Sequence, residues 1–129
     1  MTEPIVFISR WRIRAGKRAE LEAMYARAVG FIGSSKPRTA LFAAYLDEAG
    51  QELRIVHAVP DAAAMTDHFE GSDERSASVQ ELIELISFEV YGAAPAAAVD
   101  QLEREVAAVP GAELTLLPRS IGGYLRSPA

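Results

Sequence analysis

The chain has 129 residues, half of them hydrophobic, with 13 basic and 18 acidic side chains, a formal net charge of -5 and no cysteine. This composition is typical of a single folded domain; it excludes disulfides and thiol nucleophiles, and the acidic balance argues against nucleic acid or an anionic membrane as partners. Because no apolar stretch approaches the ~18 residues of a membrane span and the N-terminus is too charged for a signal peptide, we expect a cytoplasmic protein.

The first half of the chain is predicted to form three strands and one helix. Residues Ile5–Ile13 alternate between two sets of side chains, as in a strand. Residues 17–32 carry apolar side chains at helical spacing, followed by a Gly and a Pro that stop a helix. Residues 39–46 and Glu52–Val59 have the composition of strands and a short connection, so we expect them to pair antiparallel.

The following part of the chain is predicted to add two helical segments and a fourth strand. Pro60 ends the third strand because it cannot donate a ladder hydrogen bond, and Asp61 is placed to cap a helix over residues 61–70. After a polar interruption, residues 78–86 carry a capping-box pattern and an apolar stripe that predict another helix. Residues 87–92 predict a fourth strand. The order β-α-β-β-α-β is that of the ferredoxin-like α+β fold, an antiparallel sheet with its helices on one face.

This arrangement leaves the other sheet face bare, although each strand offers apolar side chains on both faces. We expect a second copy of the chain to cover it in a closed homodimer. The alternative is that the C-terminal part of the chain folds back over it. Arg10, Arg12 and Arg54 share faces with apolar residues, so we expect some of them to pair, with Glu89 as a candidate partner, unless they lie at solvated strand ends.

Residues 1–94 are interpreted as a ferredoxin-like domain, and residues 95–129 as an extension of that same domain. The extension is predicted to contain a helix over 96–108 and a strand over Glu113–Leu117, followed by an irregular tail. We therefore expect one domain with an appendix rather than two domains.

Two stretches carry a family resemblance, IVFISRW at residues 5–11 and VPDAAAMTDHF at residues 59–69. With the order of elements, they resemble the dimeric α+β barrel superfamily, and within it the antibiotic biosynthesis monooxygenase-like group, over residues 4–92. That group commonly has a histidine on the second helix, where His68 lies. The superfamily includes cofactor-free oxygenases of polycyclic phenols, isomerases and haem-degrading enzymes. Residues 71–74 stand where the haem-degrading pattern has a second histidine, so we expect no cofactor.

Five residues are predicted to form a pocket between the helices and the sheet: Trp11, Tyr45, His57, His68 and Tyr91. An aromatic lining with few polar groups is typical of a small-molecule site. His68 would act as a general base that removes a phenolic or enolic proton, so that the resulting anion reacts with oxygen directly. Trp11 would supply a flat wall, and Tyr45 or Tyr91 a hydrogen bond to a carbonyl oxygen.

The sequence thus predicts a monooxygenase-like protein, or an isomerase, that binds a small hydrophobic aromatic or polyketide-like metabolite without a cofactor. Two histidines without a spacing typical of metal ligands predict no metal site. The alternative is a non-enzymatic ligand-binding or regulatory homodimer, in which both histidines are packed in the core.

Overall fold

The computed structural model describes residues 3–126, without the side chains of residues 73–76. The described residues form β1 (Ile5–Ile13), α1 (Arg18–Ser35), β2 (Leu41–Leu46), β3 (Glu52–Val59), α2 (Ala62–Phe69), α3 (Ser72–Val79), β4 (Ile83–Tyr91), α4 (Ala96–Ala107) and β5 (Glu113–Leu117). The bounds predicted for β1, β3 and β5 are confirmed to the residue. In this part of the chain, none of the helices has the length and apolar character needed to cross a lipid bilayer.

The sheet has the strand order β2-β3-β1-β4-β5. β1 lies between β3 and β4 and runs antiparallel to both, and β2 runs antiparallel to β3. The predicted ferredoxin-like α+β fold is therefore confirmed. β5 joins the outer edge of β4 and runs parallel to it, because α4 supplies the crossover connection that a parallel pair needs.

The junction between β3 and α2 forms as its sequence predicts. β3 ends at Val59, directly before Pro60, and the Asp61 carboxylate accepts a hydrogen bond of 2.8 Å from the backbone N–H of Ala64. Such a cap satisfies a helix donor that has no partner within the helix. The cap determines where α2 begins and, with it, which face of the helix carries His68.

The helix predicted over residues 78–86 is wrong. Helix α3 ends at Val79, and β4 begins at Ile83. The pairing of β4 with β1 shifts by one residue, so that Ile86 is the extra residue of a β-bulge. A bulge interrupts the two-residue alternation of a strand. Around Ile86 the apolar side chains therefore have helical rather than alternating spacing. For this reason the sequence predicted a helix where β4 begins.

The helices pack on one face of the sheet, where two clusters of buried side chains form the core. One cluster joins β1, β3 and β4 to α2 and α4, and in it Val59 and Met65 are completely buried. The other lies against α1 and includes Leu21 and Leu53. Trp11 packs against both clusters. Removing these side chains from water is the main stabilising contribution to the fold.

The opposite face of the sheet, called the open face below, carries no helix among the described residues. The alternative in which the C-terminal part covers it is wrong for α4 and β5, because Ala98 and Leu102 of α4 join the cluster on the helix-covered face and β5 extends the sheet beside β4. Large side chains remain exposed on the open face, at Leu41, Tyr45 and Tyr91.

The arginines of the open face are paired, but with other carboxylates than Glu89. Arg10 lies directly opposite Arg54 in the register of β1 and β3, and Glu52 contacts both, which offsets their repulsion. Hydrogen bonds from these two arginines lower the pKa of Glu52. The pairs are Arg10–Glu52 at 3.0 Å, Arg54–Glu52 at 2.7 Å and Arg12–Glu84 at 3.0 Å.

Candidate functional site

A cavity of about 190 Å³, called the inner cavity below, lies between the helix-covered face of the sheet and the helices. The apolar stripe of α1 forms one wall. Phe42, His57 and Phe7 are neighbours across β2, β3 and β1 and form an aromatic floor. Most of the lining is apolar; the polar side chains in it are Ser9, Tyr25, His57, His68, Ser72, Gln80, Gln101 and Glu105.

His57 belongs to the floor of the inner cavity. Its ring stacks on Phe7 with 3.9 Å between ring centroids and 7° between planes, and its Nδ1 lies 3.3 Å from the Phe7 carbonyl oxygen. The side chain is buried, with 7% of its surface exposed. These contacts hold the imidazole flat against the sheet, as part of the wall.

His68 reaches the inner cavity from α2, where it shares the buried helix face with Ala64 and Met65 at the spacing of one helical turn. Its Nδ1 lies 2.7 Å from Thr39 Oγ1, and its ring centroid lies 5.0 Å from that of His57, edge to face. If Nδ1 carries the hydrogen and donates to Thr39, Nε2 is the basic nitrogen of the ring. The two histidines thus meet at one end of the cavity.

The loop between α1 and β2 holds α2 at three places. Lys36 Nζ donates to the Asp67 carbonyl oxygen at 2.6 Å, Arg38 pairs with the Asp61 carboxylate at 2.6 Å, and Thr39 contacts His68. Charge-assisted hydrogen bonds of this kind restrict a helix in both position and rotation. The imidazole of His68 is therefore held in one orientation.

Tyr25 is a site residue that the sequence analysis missed. It projects from α1, stacks on Phe42 at 5.3 Å, and its buried hydroxyl makes no hydrogen bond with any described residue. Burial, with a smaller effect of the Tyr45 phenol, raises the pKa of Tyr25 to about 12. The hydroxyl is therefore a donor at neutral pH. The sequence could have indicated Tyr25 through its place in the apolar stripe of α1. Every residue of that stripe lines the cavity: Leu21, Met24, Tyr25, Ala28 and Ile32.

Trp11 lines the inner cavity four residues after Phe7, on the same face of β1. Its ring meets Phe88 edge to face at 6.0 Å. The indole Nε1 is buried and has no acceptor among the described residues. Two neutral donors, the Tyr25 hydroxyl and the Trp11 indole N–H, therefore lie in the cavity wall without partners.

Of the five residues predicted to converge, the structure brings three together around the inner cavity: Trp11, His57 and His68. It does not bring Tyr45 and Tyr91 there. Tyr45 lies opposite Arg54 on the open face, and its exposed fraction is 61%. Tyr91 also lies on that face, where its hydroxyl donates to Glu89 at 2.6 Å. Because side chains alternate along a strand, a position of the wrong parity cannot reach the helix side.

In the part of the chain that the structure describes, no group of three or more His, Asp or Glu side chains has an arrangement that would hold a metal ion.

Neither a scan against family models nor a search of curated proteins finds a match for this chain. Solved structures do match. MupZ from Pseudomonas fluorescens has a TM-score of 0.60 and 17% identity, over 95% of this chain and 96% of its own. SnoaB, a cofactor-independent oxygenase from Streptomyces nogalater, has a TM-score of 0.60 and 15% identity, over 73% of this chain and 96% of its own.

A candidate antibiotic biosynthesis monooxygenase from Deinococcus radiodurans gives a TM-score of 0.59 and 15% identity, over 71% of this chain and 94% of its own. At these identities the likeness concerns the fold. The chain thus has the ferredoxin-like fold of the antibiotic biosynthesis monooxygenase-like proteins, which confirms the resemblance drawn from its sequence.

The three matches differ in how much of this chain they include. A match over 95% of the chain includes most of the C-terminal extension. SnoaB is matched over nearly all of its own length, yet about a quarter of this chain has no counterpart in it. That share corresponds in size to residues 95–129. The fold of the oxygenase is thus complete without a segment of this size.

Proposed function

We propose that this protein binds a small aromatic metabolite in the inner cavity and oxidises it without a cofactor, with His68 as the general base. The observation that carries the proposal is an apolar cavity lined by a buried, oriented imidazole and by Tyr25 and Trp11, whose buried neutral donors have no partner among the described residues. The fold shared with SnoaB, a cofactor-independent oxygenase, supports this reaction class over isomerisation.

The volume of the cavity favours a ligand with one or two rings. An engineered apolar cavity of about 150 Å³ binds benzene, and pockets for drug-sized ligands begin at about 300 Å³. At about 190 Å³, the inner cavity suits a monocyclic or bicyclic phenol better than a polycyclic polyketide. The ligand class proposed here is accordingly narrower than the one predicted from the sequence.

In the proposed reaction, His68 Nε2 removes the proton of a phenolic hydroxyl while Nδ1 donates to Thr39. The Tyr25 hydroxyl donates to the phenolate oxygen, the role that the sequence analysis gave to Tyr45 or Tyr91. A ring carbon of the electron-rich anion adds O₂ to give a peroxide. Loss of water, with the hydrogen of that carbon, leaves a carbonyl, so that a phenol and O₂ yield a quinone and water.

The test uses the single tryptophan of the chain, Trp11, as a fluorescence reporter. One-ring and two-ring phenols are titrated into the wild type, His68→Ala and the control Thr66→Ala, an exposed position on the same helix. We expect saturable quenching in all three proteins, and oxygen uptake that His68→Ala lowers at least about a hundredfold. Equal oxygen uptake by wild type and His68→Ala would contradict a base at this position.

The second candidate function is a ligand-binding or regulatory protein without catalysis. It is favoured by the contacts that tie both imidazoles to the protein, His57 to the Phe7 carbonyl oxygen and His68 to Thr39. Saturable binding of the phenols without any oxygen uptake would select this function. Both functions use the same cavity, so the binding measurement comes first.

We also propose that a second copy of the chain covers the open face. Support comes from the apolar side chains exposed there, from the position of α4 on the other side, and from the internal pairing of the charges at Arg10, Arg54 and Glu52. A face with paired charges is less costly to bury than one with unpaired charges. Two-fold dimers are the commonest closed assemblies, and the expected solution mass is twice that of the chain.

A further inference from the structure

We propose that helix α4 builds a second, polar compartment of the ligand site, which receives an oxygen-bearing side arm of the bound aromatic molecule. The inference rests on the proposed function, because the inner cavity must hold the ring that carries this arm. The ligand class is then a phenol whose ring bears a ketone or amide group and a polar continuation.

A second cavity of about 380 Å³, called the outer cavity below, adjoins the inner one. The lining of the outer cavity shares five residues with that of the inner cavity: Trp11, Gln80, Ile83, Gln101 and Glu105. Because the same side chains bound both spaces, the two cavities meet at this shared wall. Only these side chains separate the two cavities, and the proposed ligand passes its arm between them.

The two cavities differ in chemistry. Aromatic rings and aliphatic side chains dominate the inner one, whereas Arg14, Glu84 and Arg104 join the two glutamines in the outer one. Arg14 Nε donates to the Gln80 carbonyl oxygen at 3.3 Å, and its guanidinium lies 3.6 Å from Glu84. Side chains of this kind can form hydrogen bonds with a polar arm. They do not provide the apolar surface against which a second ring would be buried.

Helix α4 has one side for the core and another for the outer cavity. Ala98 and Leu102 are buried in the core cluster, while Gln101 and Arg104 line the outer cavity, as does Ala108 directly after the helix. Gln101 Nε2 donates to Ser72 Oγ at 2.7 Å, which fixes α4 against α3 above the shared wall. Helix α4 of the C-terminal extension thus supplies the outer wall of the site. The share of this chain without a counterpart in SnoaB equals that extension in size.

The unpaired indole N–H of Trp11 indicates where the arm carries its oxygen. A buried donor without an acceptor costs free energy, and an oxygen atom of the ligand would satisfy it. Trp11 follows Phe7, against which His57 stacks, by four residues on β1, or about 13 Å of strand. A phenol whose hydroxyl meets His68 at one end needs a group beyond its ring to reach Trp11 at the other.

The first experiment measures, by titration calorimetry of the full chain, the affinities for para-hydroxyacetophenone and for N-hydroxyethyl-para-hydroxybenzamide. Ala108→Leu narrows the outer cavity, and Ala107→Leu makes the same change at an exposed neighbour that lines neither cavity. We expect Ala108→Leu to weaken the long-armed ligand about tenfold and the short one less than about twofold, with no change from Ala107→Leu. Equal losses for both ligands, or no loss for either, would overturn the proposal.

The second experiment compares para-hydroxyacetophenone with para-ethylphenol, which has the same ring and a similar bulk but no carbonyl. We expect the ketone to bind the wild type about tenfold more tightly, and Trp11→Phe to abolish this preference while circular dichroism shows an unchanged fold. A preference that survives in Trp11→Phe, or one that is absent from the wild type, would show that the indole does not bind the arm.

The two proposals fail in different ways. If the wild type binds neither para-ethylphenol nor para-hydroxyacetophenone, the inner cavity holds no aromatic ring, and the proposed function fails together with the inference built on it. If both bind with equal affinity and Ala108→Leu changes nothing, the proposed function survives and only the outer compartment is refuted.

Discussion

The two faces of the sheet differ in the surroundings of their buried polar atoms that lack a hydrogen-bond partner. Four buried side-chain polar atoms of the described residues have no hydrogen-bond partner, two on each side. On the open face these are Arg10 Nε and Ser87 Oγ, which lie among paired charges. On the helix-covered face they are the Tyr25 hydroxyl and the Trp11 indole N–H, and both line a cavity. The unpaired donors of the cavity wall lie where we propose that a ligand binds, whereas those on the open face lie where we propose that a second chain packs.

The largest contrast between the faces should appear in stability. Met65 is completely buried on the helix-covered side, and Leu41 is 41% exposed on the open face. We expect Met65→Ala to lower the free energy of unfolding by about 3 kcal/mol, because it leaves a void in the core. Leu41→Ala should cost about 0.5 kcal/mol in an isolated chain. Urea denaturation at several protein concentrations measures both.

The concentration dependence in that experiment also tests the dimer. If a second copy covers the open face, the cost of Leu41→Ala will exceed that of a surface substitution and will depend on protein concentration. If the loss in free energy of unfolding does not depend on protein concentration, Leu41 does not lie in an interface between two chains.

A charge in the middle of the open face should separate two copies without unfolding either. Ile8 lies on β1 between Val56 and Glu89 of the neighbouring strands. In Ile8→Glu, the new carboxylate would be buried in a dimer beside Glu89, at a cost of about 2 to 3 kcal/mol. We expect light scattering to report twice the chain mass for the wild type and a single chain for the variant. A wild type of single-chain mass would refute the dimer.

The hydroxyl of Tyr25 should contribute to binding but not to folding. Tyr25→Phe removes a buried donor without a protein partner, so we expect unchanged stability and a loss of about fivefold, about 1 kcal/mol, in affinity for phenols. Tyr45→Phe on the open face is the matched control and should leave affinity unchanged. Calorimetric titration checks both, and equal affinities of wild type and Tyr25→Phe would remove Tyr25 from the ligand site.

The smallest expected effect is a loss of stability at high pH. Burial raises the pKa of Tyr25 to about 12, above the value of about 10 in an unfolded chain. The folded state therefore retains this proton longer than the unfolded state, and the associated stability is complete below pH 10 and disappears between about pH 10 and 12. Because the phenol is only half-buried, we expect less than about 1 kcal/mol.

Tyr91 is the counterpart of Tyr25 on the open face. The hydrogen bond that it donates to Glu89 raises its pKa as well. Salt screens an exposed pair more than a buried group, so molar salt should lower the pKa of Tyr91 and leave that of Tyr25 unchanged. Absorbance titration of Tyr25→Phe and Tyr91→Phe separates the two. A salt effect of equal size on both tyrosines would contradict burial as the main cause of the raised pKa of Tyr25.

Local patterns were sufficient for most of the fold. The strand bounds of β1, β3 and β5, and the cap of α2 by Asp61, follow from alternation, proline and capping chemistry over a few residues. The start of β4 was not predictable in this way, because the bulge at Ile86 depends on how β4 pairs with β1, some seventy residues away. The partners of Arg10 and Arg54 likewise depend on the register between β1 and β3.

The candidate site, like the fold, could be predicted from the sequence only in part. The chemistry of His68 and its place on the buried face of a helix were determined by the sequence itself, since helical spacing sets which residues share a face. The sequence also supplied the aromatic character of Trp11 and the absence of any thiol chemistry. Only the tertiary structure decided that Tyr25, rather than Tyr45 or Tyr91, reaches the cavity, and that α4 reaches the same site. Residue types and local periods act within a few residues, whereas a cavity forms where distant elements pack imperfectly.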